Sequence, residues 1–131
     1  MATPSTSLNL VDSSGWIEYF TNSPNSGLFA PAIEDTKRLI VPTLSILEVF
    51  KWVLRERDEN ATLKATALMQ RGRVVELDAA LRCDPQRLTH RLPLADSVIY
   101  ATTQAHGATL WTQDADFEDL PRVHYAPKQS R

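Results

Sequence analysis

The residues best suited to chemistry are acids. Asp12 stands in LVDSSGW, Glu48 in VPTLSILEVFKW, Asp96 in LPLADSVIYA, and Asp114 and Asp116 in LWTQDADF. Asp96 poses the sharpest problem. Residues 92–101 read as the start of a buried helix, with Leu94, Ala95, Val98, Ile99 and Ala101 as its apolar body. A helix beginning near Pro93 puts Ile99 and Tyr100 one turn beyond Asp96. Desolvating a lone carboxylate is expensive, so a cap, a salt bridge or a metal must compensate it. Carboxylates crowded together repel one another, and their pKa values split unless a cation joins them. Mg²⁺ prefers carboxylate oxygens and keeps several of its waters. Taken jointly, these acids suggest the chemistry of a hard divalent cation, Mg²⁺ or Mn²⁺.

The elements that would position them alternate. Residues 8–11 read as a strand, and SSGWIEYF as a helix with Trp16, Tyr19 and Phe20 at helical spacing. TNSPNSG breaks the chain. A helical piece over residues 28–36 leads to a second strand, RLIVP. The longest helix is predicted over residues 43–57, with Leu44, Leu47, Phe50, Val53 and Leu54 as its core stripe. DENATLKATALMQRG reads as another helix, closed by Gly72. RVVEL is a third strand, residues 78–90 a weaker helix broken by Pro85, and the helix bearing Asp96 ends at Gly107. ATLWT and VHYAP are the fourth and fifth strands. This order predicts a single α/β domain over residues 8–127, with a mainly parallel sheet of four to five strands flanked by helices. Residues 1–7 and 128–131 are expected to be tails, the first of them flexible. In such sheets ligands bind beyond the carboxyl ends of the strands, where strand order reverses. Asp12 follows the first strand, Glu48 the second by about one turn of helix, Asp78 and later Asp96 the third, and Asp114 and Asp116 the fourth.

Each acid also has a plain structural reading. Asp12 or Ser13 can cap the helix holding Trp16. Glu48 completes a capping box, SILE, with Ser45 as N-cap, although its neighbours four residues away, Leu44 and Trp52, put it on an apolar strip. Asp96 gains from the dipole at a helix start, and Asp114 or Asp116 can cap the turn before Phe117. The joint reading is the stronger one, because isolated caps could lie anywhere around the domain and these track successive strand ends.

Other chemistry is poorly supported. His90, His106 and His124 have no ligand spacing, and His106 before Gly107 suits a helix C-terminus. Ser13 and Ser14 lack a nucleophile elbow, and there is neither a phosphate loop nor a dinucleotide fingerprint. Trp16, Trp52 and Trp111 fall at spacings that suit a core better than a base-stacking platform. Lys51, Arg55 and Arg57 are most simply a solvated helix face, with Lys51 and Arg55 as the weaker reading of an RNA-binding edge. A single cysteine, Cys83, rules out an internal disulfide framework and fits a reducing cytoplasm. A formal charge of −2 argues against binding nucleic acid by bulk positive field alone. No apolar run approaches the roughly 20 residues needed to cross a bilayer, so no membrane association is expected, and the N-terminus lacks the pattern of a signal peptide.

VDSSGWIEYF, VPTLSILEVFKWVLRE and LPLADSVIYATTQAHGATLWTQDADFEDLP resemble, in order and over nearly the whole chain, the PIN domain, specifically the VapC-type toxin of bacterial toxin–antitoxin pairs. The resemblance implies a cytoplasmic, metal-dependent endoribonuclease with Mg²⁺ or Mn²⁺ at an acidic site. Asp12, Glu48, Asp96 and Asp114 match the four acids of the family, and Asp116 matches an acid often found near the metal. Ser13 and Thr112 match hydroxyl positions beside the site. It also implies an RNA substrate, a homodimer, and a VapB-type antitoxin whose tail enters the acidic groove. Two departures from the pattern are a longer N-terminal tail and a shortened segment over residues 78–92.

On this reading Asp12, Asp96, Asp114 and Asp116 hold the ion directly or through its waters, and Glu48 completes the cage or orients the attacking water. Two readings of other classes compete. One is a catalytically inactive PIN-like protein-binding module, against which the intact set of four acids speaks. The other is a phosphatase with an aspartyl nucleophile, which needs an acid where Ser14 stands. The apolar face of the helices between residues 43 and 70 could serve a partner as easily as the core.

Overall fold

The computed structural model describes residues 7–76 and 92–129. Five strands, β1 (Asn9–Val11), β2 (Leu39–Pro42), β3 (Arg73–Val75), β4 (Thr109–Thr112) and β5 (Val123–Tyr125), form one sheet in the order β3-β2-β1-β4-β5. Every pairing is parallel. The chain runs outward from β1 to β3, then returns across β1 to start β4 on its other side. Strand order therefore reverses between β1 and β4, and ligands of open α/β sheets bind at that crevice.

Among the described residues the α-helices are α1 (Ser13–Phe20), α2 (Ser26–Glu34), α3 (Thr43–Glu56), α4 (Glu59–Met69) and α5 (Leu94–Ala105). Strand residues alternate between two cores, as the period-2 geometry of a strand requires. Val11, Leu39 and Val41 pack with Trp16, Phe29, Val49, Val53, Ala65 and Met69, which are residues of α1 to α4. Leu10, Ile40 and Leu110 pack with Ile99 and Tyr100 of α5 and with Phe117. The centre of the sheet is thus covered on both faces, which is why β2 reads as an unbroken apolar run.

Three sequence expectations are corrected. The buried face of α3 is Ser45, Val49 and Val53, whereas Leu47, Phe50 and Leu54 are exposed (60%, 42% and 42%). Helix α3 carries two apolar faces, and hydropathy alone does not say which meets the sheet. Leu94 is likewise exposed rather than part of the body of α5. Gly72 does not close α4, which ends at Met69 with Gln70 as cap. A Cβ on Gly72 would lie 2.9 Å from the Leu39 carbonyl oxygen, so this glycine permits close approach to β2. Gly107, at φ +60°, does end its helix in the left-handed conformation that glycine favours. The ring of His106 lies 3.0 Å from the Thr102 carbonyl at that same end. Asp78, Cys83, His90 and the helix expected over residues 78–90 lie outside the described residues.

Candidate active site

Asp12 is the N-cap of α1, and its position beside the strand reversal follows from ending β1. Its Oδ1 accepts from the Gly15 amide and the Ser14 hydroxyl, both at 2.9 Å. Its Oδ2 accepts from Thr112 Oγ1 at 2.5 Å. The plain capping reading of Asp12 is therefore correct, and the side chain also faces the end of β4. Thr112 is fully buried. Its hydroxyl also accepts from the Asp114 amide at 2.9 Å, so one oxygen ties the ends of β1 and β4 together. Burial holds the Asp12 carboxyl above the usual carboxylate range, against the opposing pull of its hydrogen bonds from Thr112, Gly15 and Ser14.

The capping-box reading of Glu48 fails. Helix α3 begins at Thr43, two residues before Ser45, with Pro42 at the cap position and no side-chain cap bond. Ser45 is buried within the helix and its hydroxyl has no hydrogen-bond partner among the described residues. Glu48 instead points across to α1, where its Oε1 accepts from Ser13 Oγ at 2.5 Å. Asp96 lies in the first turn of α5, where the helix dipole favours a negative charge. Burial, and then the charges of Asp114, Asp12, Asp116 and Glu48, push its carboxyl up to about 6. Every one of these neighbours is an acid, and among the described residues no cation pairs with it. Asp114 accepts from the Asp116 amide at 2.9 Å and so starts the short 3₁₀ turn Ala115–Phe117.

Five predicted site residues, Asp12, Ser13, Glu48, Asp96 and Asp114, line one cleft of about 310 Å³. Within it, carboxylate oxygens of Asp96, Asp114 and Asp116 all lie within 4.8 Å of one another, a spacing a single cation could span. Asp12 stands beside this trio, its oxygens engaged by donors of its own chain. Lys51 and Arg55 are exposed on α3, and neither lines the cleft. Ser14, Ile17, Trp52 and Ile99 complete the walls. The repeated hydroxyl in DSS was the only sequence signal for Ser14, and Trp52 was signalled by its place one turn beyond Glu48.

A second polar group, missed from the sequence, braces this edge. Glu18, Asn25 and Gln113 are all buried. Glu18 accepts from the Asn25 amide (2.8 Å) and from Gln113 Nε2 (3.1 Å). Asn25 Nδ2 in turn donates to Gln113 Oε1 and to the Pro127 carbonyl, both at 3.0 Å. The turn between Thr112 and Asp114 is thereby fastened to α1 and α2.

Solved structures of the same architecture include a toxin–antitoxin complex from Klebsiella pneumoniae (24% identity, TM-score 0.69, covering 88% of this chain and 95% of that one). DNA-bound VapBC from Salmonella typhimurium is similar at 17% identity and a TM-score of 0.68, over 92% and 98% of the two chains. So is VapC20 of Mycobacterium tuberculosis, a toxin that cleaves the sarcin–ricin loop (17% identity, TM-score 0.63, over 86% and 95%). No curated protein sequence matches the chain. At these identities the likeness is one of fold. The PIN domain model, however, matches residues 10–123, most of the sequence, and on that match the chain belongs to the PIN domain family.

Proposed function

We propose that this protein is a VapC-type endoribonuclease toxin that hydrolyses RNA phosphodiester bonds with Mg²⁺ or Mn²⁺. The observation that carries the proposal is the convergence of Asp12, Glu48, Asp96 and Asp114, from four separate elements, in one cleft where the strand order reverses. Carboxylate oxygens of Asp96, Asp114 and Asp116 within 4.8 Å of one another, with no cation lining the cleft among the described residues, are a donor set suited to a hard divalent ion. Asp96, Asp114 and Asp116 would hold that ion, and Asp12 would join them directly or through water. A bound ion supplies a water of lowered pKa and neutralises charge developing on the scissile phosphate. Glu48, which accepts a hydrogen bond from Ser13, would accept a proton or orient a water. Thr112 sets the direction of the Asp12 carboxylate.

The solved relatives named above include toxin–antitoxin complexes. By analogy, a VapB-type antitoxin would neutralise this protein in the cytoplasm by placing its tail in the acidic groove. The exposed apolar face of α3 and α4 would pair two copies as a homodimer. No helix among the described residues is long and apolar enough to cross a membrane.

The test is cleavage of total bacterial RNA by the purified parent and by Asp96→Asn, with Mg²⁺, with Mn²⁺ and with chelator. The parent should cut only with metal. The variant keeps the shape and should lose more activity than the roughly 10–100-fold typical of losing an outer partner of a metal ligand, with an unchanged circular dichroism spectrum. Cleavage by Asp96→Asn at the parent rate would refute the metal site. Mn²⁺ binding by a parent that cuts no RNA would favour the inactive binding module.

A further inference from the structure

Trp52 stands one turn beyond Glu48 on the same face of α3. It lines the acidic cleft together with Glu48 and Ile17. It also lines two further clefts, one of about 480 Å³ and one of about 500 Å³. Among the described residues the acidic cleft is lined by no cation, and its carboxylates repel a polyanion. The clefts that share Trp52 with it do contain cations. Arg57 lines both, Lys128 the first and Lys64 the second. All three are exposed, and none has a carboxylate partner among the described residues.

We infer that Trp52 is a nucleotide-binding subsite: the indole stacks one base of a single-stranded RNA beside the acidic cluster, and Arg57 and Lys128 hold the adjoining phosphates. The inference deepens the nuclease reading and rests on it for the direction of the strand. Three considerations support it. Trp52 is half-buried and packs against the core beneath α3, so it offers a fixed π face at little entropic cost. Base–aromatic stacking tolerates any sequence, and a positive groove tracking the backbone is its usual companion. Finally, unpaired cations flanking an indole select an anion bearing flat rings over an apolar peptide.

The experiment measures equilibrium binding of a fluorescein-labelled single-stranded RNA 12-mer of randomised sequence, in chelator so that nothing is cut. Trp52→Leu keeps apolar volume without the ring system and should weaken binding roughly 10- to 100-fold. Trp52→Phe should stay within about threefold, because every aromatic ring offers a π face. The double variant Arg57→Gln, Lys128→Gln should bind more weakly and lower the slope of log K against log salt by about 0.7 per lost contact. Unchanged affinity in Trp52→Leu would overturn the proposal and leave the groove to a protein ligand. Equal losses in the Leu and Phe variants would also overturn it, as would no binding by the parent. Cleavage of total RNA with Mn²⁺ separates the two readings. Trp52-dependent binding without cleavage defeats the nuclease and leaves the subsite. Cleavage with an unchanged KM in Trp52→Leu defeats the subsite and leaves the nuclease.

Discussion

Asp96 shows at the scale of one residue what a cluster of acids costs the fold around it. Its carboxyl holds a proton up to about pH 6 in the folded chain, against an ordinary value of 3.8. Between those values the folded state binds more protons than the unfolded one. Stability from this group is therefore complete below about pH 3.8 and lost as pH rises through about 6. Asp12 is displaced in the same direction. Replacing Asp96 by Asn removes the repulsion at neutral pH and changes little in acid. In chelator, the melting temperature of Asp96→Asn minus that of the parent should grow by several degrees from about pH 4 to about pH 7. Excess Mn²⁺ should erase the difference by raising the parent alone, and its affinity for the parent should climb with pH up to about 6, because proton and metal compete for one carboxylate. A difference that is flat with pH would show that Asp96 meets no repulsion in the folded protein.

At the scale of elements, the turn from β4 into the 3₁₀ segment is held by Gln113, whose side-chain amide bridges Glu18 and Asn25. Removing that amide leaves a buried carboxylate and a buried amide each short of a partner, which typically costs about 1–3 kcal/mol. Urea unfolding of Gln113→Ala should show a loss in that range, and Gln113→Glu, which sets a second carboxylate against Glu18, should do worse. A loss within the roughly 0.5 kcal/mol of an ordinary surface change would mean that water satisfies these groups as well as the amide does. The four acids were legible in the sequence because a strand end is a local signal and the sheet turns strand ends into neighbours. The braces behind them were not. Glu18 and Gln113 are 95 residues apart, and a Glu between Ile17 and Tyr19 looks like a solvated residue until the fold closes over it. Local patterns also misled. SILE matches a capping box, but the end of β2 forces α3 to begin at Thr43, so Ser45 is carried inside. Most of the strand and helix positions followed from alternation and helical spacing, whereas the choice between the two apolar faces of α3 depended on tertiary packing.

For the whole molecule, the face of α3 turned away from the sheet raises the question of what covers it. Leu47, Phe50 and Leu54 are joined by Leu63 of α4, itself 65% exposed. Phe50, Leu54 and Leu63 border a shallow cleft of about 180 Å³. A single patch of four side chains is smaller than the roughly 1,200–2,000 Å² buried in a stable interface. A two-fold pairing presents the patch twice and adds the polar rims of both helices. Pairing α3 and α4 against their copies would bury every one of these side chains while leaving Asp12, Asp96 and Asp114 on other elements. The purified protein should therefore sediment as a dimer, and Leu47→Lys combined with Phe50→Lys should sediment as a monomer that keeps its helical content. Both side chains are exposed in the single chain, so charging them should lower stability only by the share the dimer contributes. The parent's melting temperature should rise with protein concentration and the variant's should not. A concentration-independent parent that sediments as a monomer would assign this face to a different protein, and the proposed antitoxin would be the first to try.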